Sequence, residues 1–290
     1  MSLLIRVKKA LHSVFVGRTT FVFGIPLIGS HLTDNFKAIC VLLNQTINSC
    51  LRQIDNNYLI LIACNEIPER TLGPRSDKIK YIITQRVSKA TLEREPYEDV
   101  SLKRDALIHA AIDLGAKYYF QLDADDLVSN KLVGFVRSKK NPDGYIMERG
   151  YLLDSRTQLL YPVPHPLFPK PTFDEFCGST IIATLDPSQD SGSKQKTLQY
   201  LDEIISPGHE IARASFAKAK RLPCIIDFPG AIYRANHGDN LYLKLHTAER
   251  TNYIDTVASA CAPLSGAQLD LARQEFGFQE EKAYTRTVIT

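Results

Sequence analysis

Two apolar runs separated by a helical pattern constrain the fold of this 290-residue chain most strongly. Residues 19–27 and 58–64 each have the length and composition of a buried strand. Between them, residues 34–53 carry apolar side chains at the spacing of one helix face. Because two strands joined by a long crossover pair in parallel, the sequence predicts an α/β domain with a mostly parallel, Rossmann-like central sheet.

The pattern continues to residue 126 and then changes. A third strand is predicted over 80–84, a charged loop over 85–100, a helix over 102–114 and a fourth strand from residue 118. The elements predicted beyond it are a hairpin of 145–153 with 158–161, an irregular proline-rich segment over 162–171, a mobile loop over 188–196, a helix over 209–220, a strand over 224–228 and helical structure over 246–276.

The fourth apolar run ends abruptly in Asp123, Asp125 and Asp126. Three carboxylates within four positions repel one another unless a cation, water or a proton intervenes. Open α/β sheets bind their ligands at the carboxyl ends of their strands, which is where this cluster falls. The sequence therefore predicts a divalent metal here, and solvated turn acids are the alternative. An EF-hand is excluded, because its sixth and twelfth loop positions hold Val128 and Gly134.

Bulk composition excludes several classes of protein. A net charge of +3 is too small to indicate a nucleic-acid-binding protein, and no apolar run approaches the length of a membrane span. The six cysteines show neither a CxxC pair nor zinc-type spacing, so we expect reduced core thiols in a cytoplasmic protein.

The N-terminus departs from this composition. Residues 1–18 place apolar side chains on one helical face and basic residues elsewhere, and no acid occurs before Asp34. This pattern is typical of a basic amphipathic helix that can lie on an anionic membrane surface. Packing on the chain's own domain or on a second subunit is an equal interpretation.

Four segments together resemble the GT-A glycosyltransferases, nearest to family 2, over about residues 19–240. Any one segment is weak, but all four occur in the order that the family shows. They are Ile25-Pro26 at the first strand end, Asn44-Gln45-Thr46 on the first helix, the DxD-type motif Asp123-Ala124-Asp125-Asp126, and the late segment Tyr233-Arg234-Ala235-Asn236-His237.

The resemblance implies a metal and a nucleotide-diphospho-sugar donor. Asp125 and His237 are the expected ligands of Mn²⁺ or Mg²⁺, a pairing that suits Mn²⁺. Asp123 is expected at the metal, through a bound water, or at the ribose, with Ala124 beside the donor.

The resemblance also implies further donor contacts. Pro26 is expected to line the site of the base together with Asn65 or Glu66, which follow the second strand. Lys103 and Arg104 precede the fourth strand, where the family often carries a cation, and they are expected to face phosphate or to hold a loop. The family's Ala-Arg-Asn sequence is absent here.

The acceptor side of the site is implied by two segments. An inverting transferase needs a base for the acceptor hydroxyl, and Glu210 is the candidate with His209 as the alternative. Glu210 is equally well interpreted as a charge that stabilises a helix N-terminus and has no catalytic role. Gly178 and Ser179 resemble the family's glycine-containing acceptor segment.

The observations and the resemblance together predict a metal-dependent, hexosyltransferase-type enzyme, with inversion favoured over retention. It would move a sugar from a UDP-sugar to a glycan or lipid-linked acceptor in polysaccharide biosynthesis at the inner face of the cell membrane. The predicted units are the helix over 1–18, a GT-A domain over 19–245 with a nucleotide-sugar half (19–126) and an acceptor-side α+β half (127–245), and a C-terminal helical extension over 246–290. The alternatives are a non-catalytic sugar- or nucleotide-binding module and a sugar-1-phosphate nucleotidyltransferase.

Overall fold

The structure is a computed structural model that describes residues 20–69, 76–95, 97–165, 172–175, 177–185, 191–205, 208–238, 255, 257, 259 and 261–278. The predicted basic helix over residues 1–18 lies outside the described residues, as does most of the segment between residues 239 and 260.

Strands and helices alternate through the first half of the chain. The strands are β1 (Phe21–Pro26), β2 (Tyr58–Cys64), β3 (Ile79–Ile83), β4 (Tyr118–Gln121), β5 (Leu127–Val128), β6 (Tyr145–Met147), β7 (Gly150–Asp154), β8 (Leu159–Val163), β9 (Ile181–Thr184), β10 (Cys224–Ile226) and β11 (Ala231–Ala235). The helices are α1 (Phe36–Leu51), α2 (Lys89–Arg94), α3 (Glu98–Asp113), α4 (Leu132–Lys139), α5 (Ser191–Ile205), α6 (Ala212–Lys218) and α7 (Gly266–Phe276).

A seven-stranded sheet forms the centre of the molecule, in the order β10-β6-β9-β4-β1-β2-β3. Strands β4, β1, β2 and β3 are parallel, whereas β9 runs antiparallel to both of its neighbours. The prediction of an α/β chain with a mostly parallel central sheet is confirmed. The chain order reverses between β1 and β4, so their carboxyl ends flank the crevice in which such sheets bind ligands.

Strand β1 shows why its sequence is continuously apolar. Phe21, Phe23 and Ile25 pack in one core cluster, and Val22 packs in another on the opposite face. Because consecutive side chains of a strand point to opposite faces, a strand covered on both sides must be apolar throughout.

A second sheet of four strands lies beyond the central one, in the order β5-β11-β7-β8. Strands β7 and β8 pair antiparallel, which confirms the predicted hairpin, but β6 joins the central sheet instead. Helix α7 packs Ala272 and Phe276 on this second sheet. Within the described ranges, none of the helices combines the length and apolar character that crossing a bilayer requires.

Two loop predictions were wrong. The charged stretch 85–100 contains α2 and the first turn of α3, and Ser88 caps α2 by accepting a hydrogen bond from the backbone N–H of Thr91 (3.1 Å). The stretch 188–196 contains the start of α5 at Ser191. In both stretches the many charged and small side chains obscured a helical spacing that tertiary packing supports.

The predicted helix over 209–220 also differs in detail. A 3₁₀ turn over His209–Ile211 precedes the shorter α6. All six cysteines are free, and five of them are buried, which agrees with their prediction as reduced core thiols.

Candidate active site

The acidic segment Leu122–Asp126 carries the chain from the central sheet to the second one. Leu122 extends the pairing of β4 by donating its N–H to the carbonyl of Gly24 (3.0 Å), and β5 begins immediately after Asp126. Thr46 of α1 donates its hydroxyl to the carbonyl of Ala124 (2.9 Å). Helix α1 therefore fixes the backbone in the middle of the acidic segment.

Asp125 meets His237 at this crossing. The Nε2 atom of His237 lies 2.7 Å from Oδ2 of Asp125, and both side chains are largely buried. Asp125 follows a strand of the central sheet, whereas His237 follows β11 of the second sheet. The fold thus joins two side chains that are 112 residues apart in sequence.

A buried carboxylate supports the loop that carries His237. Asp154, at the end of β7, has a fully buried side chain and accepts a hydrogen bond from Nδ2 of Asn236 (2.9 Å). Asn236 has a φ of 60°, a left-handed conformation that asparagine tolerates better than most residues. Burial by itself raises the pKa of Asp154, but hydrogen bonds from Asn236 and Arg156 more than offset it, so its pKa is lowered.

Asp126 points away from solvent and is fully buried. Its carboxylate accepts hydrogen bonds from the Ser179 hydroxyl (2.6 Å), the Arg234 backbone N–H (3.2 Å) and the Cys177 thiol (3.3 Å). Burial raises its pKa well above the ordinary value, and the charges of Asp125 and Asp123 add to this effect. Asp126 therefore anchors the acidic segment within the protein.

Asp123 is the more accessible of the predicted donor acids, with about a third of its side chain exposed. Its Oδ1 accepts a hydrogen bond from Nη2 of Arg104 (3.3 Å). Burial raises its pKa, Asp125 raises it further, and Arg104 opposes both. Arg104 thus contacts an acid of the site directly.

Gly178 allows the segment over residues 177–180 to approach Asp123 closely. A Cβ added at Gly178 would lie 2.8 Å from Oδ2 of Asp123 and 4.0 Å from Nδ1 of His209. His209 therefore lies beside the acidic segment, and Glu210 is exposed on the same 3₁₀ turn. Ser179 is fully buried, and its hydroxyl oxygen also accepts the backbone N–H of Asp123 (3.0 Å).

A cavity of about 160 Å³ opens beside the Asp125–His237 pair. Six of the predicted donor and metal residues line it. They are Pro26, Lys103, Asp123, Ala124, Asp125 and His237. Apolar side chains from the loop after β1 and from α1, α2 and α3 complete its walls, namely Leu27, Ile28, Ile39, Leu42, Leu92 and Val100.

Asn65 and Glu66 lie at the end of β2 with their polar groups engaged. Asn65 donates to the carbonyl of Gln85 (2.7 Å). Glu66 accepts the backbone N–H of Ser30 (2.8 Å) and pairs with Arg86 (2.7 Å). The hydrogen bond from Ser30 is the largest cause of the lowered pKa of Glu66, to which Arg86 also contributes.

Asp125 and His237 together suit a hard divalent cation whose remaining coordination positions are open to a substrate. Among the described residues, no three histidine, cysteine or acidic side chains converge on one metal position. One carboxylate and one imidazole leave positions for phosphate oxygens and water, which Mg²⁺ and Mn²⁺ accept readily. The residues present therefore fit such an ion as a pair of protein ligands, with its remaining positions open to oxygen ligands.

Sequence reasoning missed Asp99, which lines the cavity from α3. The sequence did carry a signal for Asp99. It lies four residues before Lys103, and residues at that spacing share a face of a helix. The predicted loop over 85–100 concealed that spacing.

Comparisons with known proteins give little beyond this geometry. No family model and no curated protein matches the chain. TarS 1–349 of S. aureus is similar in structure with a TM-score of 0.41 and 11% identity, over 74% of this chain and 60% of the TarS chain. The structure of 4-diphosphocytidyl-2C-methyl-D-erythritol synthase aligns with a TM-score of 0.35 and 13% identity, over 83% of this chain and 99% of that one. Similarity at these TM-scores and identities does not establish a family for the chain.

Proposed function

We propose that this chain is a metal-dependent glycosyltransferase that moves a sugar from a UDP-sugar to a hydroxyl group of a glycan or lipid-linked acceptor. The observation that carries the proposal is the Asp125–His237 pair at the wall of a cavity that is otherwise mainly apolar. Such a cavity offers a nucleoside an apolar slot and offers its diphosphate a cation site.

Each side chain has a distinct part in this proposal. Asp125 and His237 hold Mn²⁺ or Mg²⁺, and Asp123 reaches the ribose or a water on the ion. When bound, the cation neutralises charge on the departing diphosphate. Arg104 balances the charge of Asp123. Asp126 and Ser179 hold the acidic segment in position rather than contact substrate.

The transfer step requires a base on the acceptor side. The acceptor hydroxyl loses its proton to the base while its oxygen attacks the anomeric carbon, and the bond to the UDP oxygen breaks with inversion. Two neighbouring side chains, His209 and Glu210, are the candidates for the base. His209 lies beside Gly178 and the acidic segment, which favours it on position.

The reaction is tested by screening sugar nucleotides for Mn²⁺-dependent release of the nucleoside diphosphate. We expect UDP release from a UDP-sugar, lost in Asp125→Ala and in His237→Ala. Asp105→Ala is the matched control, because Asp105 is exposed on α3. Nucleotide binding without turnover would favour the non-catalytic module. Pyrophosphate release from UTP and a sugar-1-phosphate would favour the nucleotidyltransferase.

The base is tested separately by Glu210→Gln and His209→Asn. The variant of the true base should lose about 10²- to 10⁴-fold in transfer to the acceptor. It should still bind UDP and Mn²⁺ like the unaltered protein. If a variant keeps the full transfer rate, the residue that it replaces is not the base.

The proposed cellular setting is the inner face of the cell membrane, in polysaccharide assembly. It is supported by the basic amphipathic pattern of residues 1–18 and by the resemblance to family 2 glycosyltransferases. Sedimentation with anionic vesicles should fall when those residues are removed, and unchanged sedimentation would contradict the proposal.

A further inference from the structure

The amino ends of three strands form a surface on the far side of the central sheet from the cavity. Strands β4, β6 and β10 run in the same direction, because β6 pairs parallel with β10 and both β4 and β6 pair antiparallel with β9. The segments that precede them, 115–117, 137–144 and 218–223, therefore lie at the amino edge of the sheet. The cavity lies at the carboxyl edge, beyond the ends of β1 and β4.

Hydrogen bonds join these three segments into one surface. The backbone N–H of Leu185 donates to the carbonyl of Lys117 (2.7 Å), and the neighbouring Thr184 donates its hydroxyl to the carbonyl of Asn141 (2.7 Å). Asn141 in turn donates from Nδ2 to the carbonyl of Leu222 (3.2 Å). The segments are thus held side by side at the end of β9.

The surface has a strong excess of positive charge. Asp143 is the one acid within the three segments, and it pairs with Arg221 (3.2 Å). Arg137 pairs with Asp55. Five further cations of these segments form no ion pair with any described residue, namely Lys117, Lys139, Lys140, Lys218 and Lys220. We call these five lysines the basic edge.

Two apolar side chains project from the same surface. Leu222 is 81% exposed and Ile54 is 69% exposed, and no other large apolar residue that the structure describes is as exposed as either. Ile54 precedes Asp55, the partner of Arg137. A bilayer interface can bury such side chains, whereas the phosphate backbone of a nucleic acid offers them no apolar partner.

The basic amphipathic sequence of residues 1–18 is attached at this edge. Thr20 is the first described residue, and its carbonyl accepts the backbone N–H groups of Lys117 (3.0 Å) and Tyr118 (2.8 Å). The chain before Thr20 therefore begins beside the basic edge. Its sequence contains basic residues and no acid, so its charge has the same sign as that of the basic edge.

We infer that the basic edge, together with Leu222 and Ile54, is the surface of the folded domain that lies on anionic phospholipid headgroups. Lysines within about 10 Å of such headgroups are attracted by their negative potential, and the two apolar side chains would enter the interface. The cavity beside Asp125 would then open toward water, where a UDP-sugar is dissolved. This inference rests on the membrane setting in the proposed function and deepens it, because it assigns the face that meets the lipid.

A single introduced tryptophan tests the orientation, because the chain contains none of its own. When vesicles containing phosphatidylglycerol are added to the full chain, Leu222→Trp should shift its fluorescence emission to shorter wavelength, and brominated lipid should quench it. Ile67→Trp is the matched control, since Ile67 is 62% exposed and follows β2 at the opposite edge. Its emission should not change, and a shift in Ile67→Trp alone would overturn the inference.

The charges are tested by vesicle sedimentation of two triple variants of the full chain. The basic-edge variant combines Lys140→Gln, Lys218→Gln and Lys220→Gln, all at exposed positions. Its affinity for vesicles containing phosphatidylglycerol should fall about tenfold or more. The control variant loses the same charge at exposed positions beyond the carboxyl ends of strands, through Lys37→Gln, Lys89→Gln and Arg149→Gln, and should keep its affinity. Both variants should release UDP at the unaltered rate without vesicles.

The contrary results are distinguishable from one another. Equal affinity of the two triple variants, with sedimentation that still depends on residues 1–18, would overturn the role of the basic edge and leave the membrane setting standing. Failure of the unaltered protein to bind anionic vesicles would overturn both. Binding of single-stranded RNA that the basic-edge variant loses, without vesicle binding, would assign the surface to nucleic acid instead. Sugar transfer is measured without vesicles, so none of these results would overturn it.

Discussion

Neighbouring acids of the segment Leu122–Asp126 differ in their environments, and those environments suit different tasks. Asp126 is fully buried and accepts three hydrogen bonds, whereas Asp123 is a third exposed and faces Arg104. Asp125 meets an imidazole. Of the three acids, only Asp123 and Asp125 line the cavity and are placed to meet a ligand there.

Ser179→Ala tests the anchoring of Asp126. The substitution removes the donor to a buried carboxylate and the acceptor for the N–H of Asp123, so we expect a loss of about 1–3 kcal/mol in the free energy of unfolding. Urea denaturation measures it. Ser138→Ala is the control, because Ser138 is exposed and bonds only locally to the carbonyl of Phe135 (2.8 Å). Equal stability of the two variants would contradict the anchoring role.

Gly178→Ala tests the close approach beside Asp123. The new methyl group would meet Oδ2 of Asp123 at 2.8 Å and push that carboxylate aside. We expect UDP binding with Mn²⁺ to weaken about tenfold or more, because small displacements at such sites are costly. The control is Gly134→Ala within α4, where the nearest atom lies at 3.8 Å. Unchanged affinity in Gly178→Ala would show that Asp123 has room to move.

At the residue scale, the sequence could predict which side chains meet but not how they are supported. The acid motif and the late histidine pointed to Asp125 and His237, which the fold brings to 2.7 Å. The partners of Asp126 and Asp154 could not be predicted, because burial and hydrogen bonding there depend on segments far apart in the chain. For the same reason, the buried position of Ser179 required the structure.

At the scale of elements, one arginine fixes the turn that carries His209. Arg213 of α6 forms a two-pronged pair with the buried Asp174 (2.9 and 3.0 Å) and a further ion pair with Glu148 (2.7 Å). Arg213 thereby links three segments of the chain next to the turn over His209–Ile211.

Arg213→Ala should loosen that turn. The loss leaves the Asp174 carboxylate buried without its partner, at a cost of about 1–2 kcal/mol because the arginine itself is partly exposed. Hydrogen exchange should rise over residues 208–218. Arg213→Lys is the comparison, since it keeps the charge but not the planar fork. Identical exchange in all three proteins would show that the turn is held by other contacts.

The elements that the sequence predicted well were the buried ones. Strands β1 and β2 and helix α1 were placed within two residues of their observed ends, because both faces of the strands and one face of the helix are covered. Helix α2 and the start of α5 were mistaken for loops. Their short apolar faces are interrupted by charges and small residues, so the periodicity was too weak to outweigh composition.

At the scale of the whole molecule, α7 completes the second sheet. Phe276 is almost fully buried against Leu127, Leu153 and Ile232, and its ring meets Tyr151 edge-on at 5.7 Å. Glu275 also binds Lys131 (2.7 Å) and Ser129, just after β5.

Phe276→Ala should therefore destabilise the folded chain by about 3–5 kcal/mol, as is typical of emptied aromatic core positions. Thermal or urea unfolding measures the effect. Leu271→Ala on the same helix should change stability by less than about 0.5 kcal/mol, because Leu271 is exposed. A small effect at Phe276 would mean that the second sheet is stable without α7.

The Asp125–His237 pair also determines which recombinant fragments of this chain would contain both side chains. Its acid lies in the predicted nucleotide-sugar half and its imidazole near the end of the other half, 112 residues later. A recombinant fragment that ends at residue 126 would carry the acids and lack the histidine. During synthesis, the nascent chain likewise has no complete ligand pair until the ribosome has passed residue 237. Under the proposed metal binding, cation affinity would be a property of the joined halves and would serve as a reporter of their assembly.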